Sequence, residues 1–212
     1  MFDYSELYNA IVKGNLNVAT TEMQRAIDAN CVPDEIINEC MVKAMAEIGN
    51  DFEEGRAFVP NLLMSARAMK GALEILKPLM LTANTQLMGK VVIGTVRGDL
   101  HDIGKNLVAS MLEGSGFEVC NLGNDVTAEK FINAAKENNA DLICLSALLT
   151  TTMQYMAEVI RAVEEAGLKG KVKVMIGGAP ITQDFADKIG ADGYSDNANA
   201  AVALAKRLVA AN

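Results

Sequence analysis

The pattern of apolar residues changes at Lys90, and this change constrains the fold more than any other feature of the chain. Beyond Lys90, short runs rich in Val and Ile alternate with segments whose apolar residues repeat at helical spacing. Apolar strands that alternate with helices are typical of a parallel sheet covered on both faces, and right-handed crossovers wind such a sheet in two directions. We therefore expect an α/β domain with a Rossmann- or flavodoxin-like, doubly wound sheet of five parallel strands. The predicted strands span 90–96, 117–123, 140–146, 171–178 and 191–194, and the predicted helices span 102–115, 127–138, 151–166, 181–189 and 196–210.

The residues before Lys90 contain helical patterns only. Pro33 and Pro60 stand where two helices begin, since the missing N–H of a proline costs nothing in the first turn. Four helices joined by short turns predict a small antiparallel N-terminal four-helix bundle. The predicted helices cover 4–13, 18–30, 33–55 and 60–78, a linker covers 81–89, and the domains are 1–88 and 89–212.

Composition excludes several classes of function. The net charge of −8 argues against nucleic acid as a partner, because phosphate binding requires clustered Lys and Arg. No basic N-terminal region and no long apolar run are visible, so we expect a cytoplasmic protein without a membrane segment. The four cysteines form no CxxC pair, and we interpret them as small buried hydrophobic residues rather than metal ligands.

The loop after the first predicted strand contains the only histidine of the chain, His101, within GTVRGDLHDIGKNL. Ligands of open parallel sheets bind beyond the carboxyl ends of the strands, which places this loop at the expected site. A phosphate-binding P-loop is excluded, because five residues rather than four separate Gly98 from Gly104, and Asn106 replaces the required Ser or Thr. No GxGxxG dinucleotide motif is present. A polar loop with an incidental histidine remains an alternative on these grounds.

A metal role for His101 requires a special partner. One histidine cannot hold a bare zinc or iron ion, which needs three or four protein ligands. It suits a metal that a macrocycle already holds, with one axial position left for the protein. Asp99, two residues earlier, can accept a hydrogen bond from the second ring nitrogen and so orient the imidazole.

Three motifs at the ends of three predicted strands carry a family resemblance. Asp99-Leu100-His101-Asp102-Ile103-Gly104 resembles the DxHxxG motif of base-off, His-on cobalamin-binding proteins. Ser146-Ala147-Leu148 resembles the SxL segment of that family, and Gly177-Gly178 resembles its GG pair. Residues 44–78 are similar to the cap bundle that precedes the cobalamin domain of methionine synthase. The same two-part layout is that of the stand-alone corrinoid proteins of methanogens and acetogens.

The resemblance implies a role for each matching residue. His101 would be the lower axial ligand of the cobalt, with Asp99 and Thr152, six positions after Ser146, completing a catalytic chain. A helix N-cap at Thr152 is the alternative, and Thr151 could serve in its place. Phe58 matches a capping aromatic residue, and a core position is equally consistent with its sequence context. The implied cofactor-binding residues are Gly98, Asp99, Leu100, His101, Asp102, Ile103, Gly104, Ser146, Leu148, Thr150, Thr152, Gly177, Gly178 and Phe58.

The implied function is that of a methyl carrier, which is not a complete enzyme on its own. Its cofactor would be cobalamin, accepting a methyl group as Co(I) and carrying it as methylcobalamin. The implied partners are a substrate-specific methyltransferase, a second methyltransferase that delivers the methyl group to a thiol or tetrahydrofolate-type acceptor, and a reductive activase. The alternative is a cobalamin-dependent sensor or regulatory module. Such regulators usually add a DNA-binding module, for which this chain has no room.

Overall fold

The computed structural model describes residues 2–83 and 88–211, and the chain divides into two units. The first unit comprises Met1–Leu87 with Ser110–Gly116, and the second comprises Met88–Ala109 with Phe117–Asn212. Residues 110–116, which include the end of the helix that follows the first strand, thus group with the first unit.

The first unit is built from amphipathic helices. The third predicted helix, which begins at Pro33, contains an unpredicted π-helical segment, Ile36–Met41. The wider π turn changes the angular register of the apolar side chains, and Ile36, Ile37, Cys40 and Met41 are all buried. The helices are α1 Ser5–Val12, α2 Leu16–Asp28, α3 Pro33–Glu35, continued by the π segment, α4 Val42–Glu53 and α5 Val59–Ala83.

The predicted end of the fourth helix near Pro78 is wrong. Helix α5 continues through Pro78 to Ala83, so the first three residues of the predicted linker are helical. Residues 84–87 of that linker lie outside the described residues. Because proline has no N–H, the carbonyl of Glu74, one turn earlier, lacks its helical hydrogen-bond donor. Both Pro78 and Glu74 are exposed, so water can replace that donor.

The second unit contains the predicted sheet of five parallel strands, and their order is β2-β1-β3-β4-β5. Strands β1, β3 and β4 are buried almost along their whole length, which explains their continuous apolar sequence. The fifth strand is shorter than predicted. The strands are β1 Lys90–Thr95, β2 Glu118–Asn121, β3 Leu142–Ser146, β4 Lys173–Gly177 and β5 Gly193–Tyr194, and the helices are α6 Ile103–Gly114, α7 Ala128–Asn138, α8 Gln154–Glu165, α9 Gln183–Ile189 and α10 Ala198–Ala210.

Candidate functional site

His101 lies on the loop between β1 and α6, at the carboxyl edge of the sheet. Its side chain is 51% exposed, whereas the Asp99 side chain beside it is completely buried. His101 Nδ1 lies 2.8 Å from Asp99 Oδ1, and the same oxygen accepts the His101 main-chain N–H at 3.0 Å. The residue therefore bonds to Asp99 through both its ring and its backbone.

The second oxygen of Asp99 is bound by the segment after β3. Asp99 Oδ2 accepts hydrogen bonds from Thr152 Oγ1 at 2.7 Å, from Leu148 N–H at 2.8 Å and from Leu149 N–H at 3.3 Å. Burial raises the pKa of Asp99, but the hydrogen bonds from Thr152, Leu148 and His101 outweigh it and hold that pKa well below its usual range. An ionised carboxylate only accepts, so Nδ1 is the donor in this bond and Nε2 is the ring nitrogen that does not bond to Asp99.

Thr152 is not the N-cap of the following helix. It lies in the turn before α8, whose N-cap is Met153, and it is 5% exposed. Its hydroxyl oxygen also lies 3.0 Å from the Leu149 carbonyl oxygen, a second acceptor within the same turn. Thr151 is exposed. The geometry thus joins His101, Asp99 and Thr152 into one hydrogen-bonded chain.

A cavity of about 530 Å³ opens beside His101. Its walls come from the ends of β1, β3 and β4, from the start of α6 and from the segment that leads into α10. The ends of several neighbouring strands meet here because all strands are parallel. The predicted site residues that line the cavity are Leu100, His101, Asp102, Ile103, Gly104, Ser146, Leu148, Gly177 and Gly178.

Five predicted cofactor-binding residues do not line this cavity. Asp99 and Thr152 belong to the buried hydrogen-bonded chain described above. Gly98 is exposed, has a φ of +78°, and donates its N–H to Asp125 Oδ1 at 2.7 Å. Thr150 is exposed in the turn after β3. Phe58 belongs to the first unit, where its 67% exposure excludes the alternative of a core residue.

The glycines of the site differ in what a side chain would meet. A Cβ on Gly178 would lie 1.9 Å from the Ala147 carbonyl oxygen, and its φ of +135° strains any other residue. Protein backbone therefore demands this glycine, whereas the motif alone suggested room for a ligand. A Cβ on Gly177 would lie 3.1 Å from the Ser195 carbonyl oxygen. A Cβ on Gly104 would meet nothing within 4 Å, so no protein atom requires glycine there.

Exposed apolar side chains surround His101 within the second unit. Leu100 and Ile103 are 68% and 86% exposed, and Leu148 and Leu149 are also exposed, on the segment that bonds to Asp99. Large apolar side chains grouped around a half-exposed imidazole suit the face of a flat macrocycle. Among the described residues, no group of three or more His, Cys, Asp or Glu side chains could hold a bare metal ion. The donor set and the open space at Gly104 thus fit an axially ligated, macrocycle-bound metal.

Sequence reasoning missed two parts of the cavity wall. Lys105 is 3% exposed, and its Nζ donates to Asn106 Oδ1 at 2.6 Å and to Asn121 Oδ1 at 2.7 Å. Burial lowers the pKa of Lys105. Ser195 and Asn197, before α10, also line the cavity. Their position directly after the last strand is a signal that could have identified them, since ligands bind beyond strand ends.

Comparisons with known proteins agree with this geometry. A model of the B12 binding domain matches residues 89–203, and a second model, also described as a B12 binding domain, matches residues 4–77. A dimethylamine corrinoid protein of Methanosarcina barkeri is 47% identical over 206 residues, which are 97% of this chain and 96% of that protein. Trimethylamine corrinoid protein 2 of Methanosarcina acetivorans is 44% identical, over 92% of this chain and 90% of that protein.

Two solved structures share the fold over nearly the whole chain. A cobalamin-binding protein of Desulfitobacterium hafniense superposes with a TM-score of 0.80 and 31% identity, over 98% of this chain and 99% of that chain. The methanol:cobalamin methyltransferase complex of Methanosarcina barkeri gives a TM-score of 0.84 and 32% identity, over 98% of this chain and 79% of the matched chain. The chain therefore belongs to the B12-binding family, as a two-part corrinoid protein whose cofactor is cobalamin.

Proposed function

We propose that this chain is the corrinoid methyl carrier of a multicomponent methyltransferase system, with His101 as the lower axial ligand of the cobalt. The observation that carries the proposal is the chain of hydrogen bonds from His101 through Asp99 to Thr152, at the mouth of the cavity. Cobalamin, when bound, supplies a cobalt centre that accepts and releases a methyl group. The relatives named as dimethylamine and trimethylamine corrinoid proteins support the carrier assignment.

The residues around His101 would act on the ring and its proton. Asp99 accepts the hydrogen bond of Nδ1, so Nε2 would be the ring atom that holds the cobalt, and the carboxylate would raise its basicity. The Asp99 carboxylate would hold the ring in this orientation and would stabilise positive charge on it. The hydroxyl of Thr152 and the N–H groups of Leu148 and Leu149 donate to Asp99 and favour its ionised form.

The cavity would receive the displaced nucleotide tail of the cofactor. Ser146 lies at its wall, and its hydroxyl would bond to the benzimidazole base. Leu100, Ile103 and Leu148 would contact the lower face of the macrocycle, which would remove their exposed apolar surface from water. Phe58, exposed on the first unit, would cap the upper face.

We further propose a methylamine as the methyl donor, with dimethylamine as the first candidate. Relatives named as dimethylamine and trimethylamine corrinoid proteins are 47% and 44% identical to this chain over most of their length. A substrate-specific methyltransferase would load the carrier, a second would unload it to a thiol or tetrahydrofolate-type acceptor, and an activase would reduce the cobalt after oxidation. No helix among the described residues is long and apolar enough to cross a membrane.

The test combines ligation with turnover. Protein reconstituted with hydroxocobalamin and reduced to cob(II)alamin should show superhyperfine coupling to a histidine nitrogen in its EPR spectrum, and His101→Ala should abolish it. An unchanged benzimidazole signal in the wild-type protein would refute the axial role.

Turnover is tested with methylamine- and methanol-specific methyltransferases, each with its acceptor system. Loss of the methyl–cobalt absorbance with the dimethylamine system and slower loss with the methanol system are expected. No demethylation with any partner, together with light- or ligand-driven changes of oligomeric state, would favour the regulatory alternative.

A further inference from the structure

The loop after β2 holds the His101 loop through Asp125. Asp125 is both a donor and an acceptor. Its N–H donates to the Asp99 carbonyl oxygen at 3.0 Å, and its Oδ1 accepts a hydrogen bond from the Gly98 N–H at 2.7 Å. These two bonds join one residue to two adjacent residues of the other loop. Asp125 therefore holds the backbone just before His101 at two points.

The next two residues of the loop are bonded as well. The Leu100 carbonyl oxygen accepts a hydrogen bond from Asn124 Nδ2 at 3.2 Å, and the His101 carbonyl oxygen accepts one from Thr95 Oγ1 at 3.0 Å. Thr95 is completely buried at the end of β1. Each residue from Gly98 to His101 thus has a main-chain group bonded to Thr95 or to the loop after β2.

The backbone conformation of Asp125 argues for a role of its side chain. Its φ of +51° lies in the left-handed region, where glycine has no steric penalty and aspartate is tolerated with some cost. If the turn were the only requirement, glycine would serve better. Asp125 instead provides the carboxylate oxygen that accepts the Gly98 N–H.

We propose that Asp125, assisted by Asn124, is a positioning residue for His101 that orients the imidazole for cobalt before the cofactor binds. This inference rests on the proposed function. The wall of the cavity is formed by other residues, including Ser146 and Gly177. Loss of the Asp125 side chain should therefore loosen the histidine ligand while the cavity still takes up cobalamin.

The single histidine of the chain permits a selective measurement. Protein labelled with ¹⁵N only in histidine changes the cob(II)alamin EPR coupling from a triplet to a doublet wherever His101 is the axial ligand. The amplitude of the doublet, relative to the signal without nitrogen coupling, gives the ratio of His-ligated to unligated cobalt. Cobalamin uptake is measured separately by absorbance after gel filtration.

Three variants isolate the side-chain bond. Asp125→Gly keeps the left-handed backbone and the N–H that bonds to Asp99, but removes the acceptor for Gly98. We expect the ratio of ligated to unligated cobalt to fall roughly three- to tenfold, less than the about 10- to 100-fold typical of direct partners of a metal ligand. Asp125→Asn retains both an acceptor oxygen and tolerance of positive φ, so it should restore the wild-type ratio. Asn124→Ala should lower the ratio by a smaller factor.

Asn139→Gly is the matched control. Asn139 also has a positive φ, +49°, but it caps the end of α7 and precedes β3, at the opposite edge of the sheet. It should leave both the ratio and the uptake unchanged. A wild-type ratio in Asp125→Gly and Asn124→Ala, or an equal loss in Asp125→Asn and Asp125→Gly, would overturn the inference. Absence of the doublet in the wild-type protein would instead refute the proposed function, and this inference with it.

Discussion

At the scale of single residues, the site depends on Asp99, because this carboxylate is buried and bonded at both oxygens. A buried carboxylate is stable only when donors compensate for its lost hydration. The donors are main-chain N–H groups, the His101 ring and one hydroxyl, that of Thr152. The hydroxyl is the donor that a substitution can remove without changing the volume of the side chain.

Thr152→Val should therefore destabilise the cofactor-free protein. The variant leaves Asp99 with one donor fewer, and hydrogen bonds to charged groups contribute about 1.5–3 kcal/mol, so the free energy of unfolding should fall by roughly that amount. Urea unfolding followed by circular dichroism measures the change. Thr152→Ser, which keeps the hydroxyl, should stay within about 1 kcal/mol of the wild type. Equal stability of Thr152→Val and wild type would show that this hydrogen bond does not support Asp99.

At the scale of secondary-structure elements, the ends of β3 and β4 approach each other closely at one glycine. Gly178 follows β4 and lies against the carbonyl of Ala147, which follows β3. Gly104 lies within α6, where a Cβ would meet open space. Glycine is thus needed at position 178 because the backbone of Ala147 leaves no room for a side chain, whereas at position 104 it leaves open space.

Alanine at each position should therefore have a different effect on stability and on cobalamin binding. Gly178→Ala should lower the free energy of unfolding of the cofactor-free protein by about 2–4 kcal/mol, because the added Cβ collides with backbone and the φ is unfavourable. Gly104→Ala should maintain or raise that free energy by up to about 1 kcal/mol, since alanine favours the helix. It should instead weaken cobalamin binding in an absorbance titration. Tight binding by Gly104→Ala would show that the macrocycle does not use this space, and a stable Gly178→Ala would contradict the collision.

At the scale of the whole molecule, each unit carries one buried and one half-exposed cysteine. Cys40 is buried in the first unit and Cys144 in the second, whereas Cys31 and Cys120 are half-buried. Burial raises the pKa of the Cys40 thiol to about 12, and it also raises the pKa of the Cys144 thiol. Both buried thiols are therefore protonated and unreactive near neutral pH. Cys144 also lines the cavity.

Thiol labelling should consequently report on each unit separately. At pH 8, a thiol reagent should modify Cys31 and Cys120 of the native protein, and modify Cys40 and Cys144 only as their units unfold in denaturant. Cobalamin should raise the denaturant midpoint for Cys144 more than that for Cys40, because a ligand stabilises the unit that binds it. Mass spectrometry of labelled peptides identifies the sites. Equal midpoint shifts would show that the two units unfold together.

The sequence by itself determined the architecture and the location of the site. The apolar runs from Lys90 onwards predict buried parallel strands, and parallel strands bring their carboxyl ends to one edge. Motif spacing then placed His101, Ser146 and Gly177 on that edge, where all three line one cavity. These features follow from the sequence because period, residue type and motif spacing are local properties of the chain.

Only the tertiary structure decided how the site is held. The donors from Leu148 and Thr152 to Asp99 are 49 and 53 positions away along the chain, and Gly98 lies 27 positions from Asp125. Hydrogen bonds between such distant residues leave no periodic trace in a sequence. The continuation of α5 through Pro78 depends likewise on which helix face is buried, and the exposure of Phe58 depends on how the segment before α5 packs. A sequence indicates the local conformational preferences of its residues, whereas the packing of the chain determines which distant donors and acceptors form hydrogen bonds.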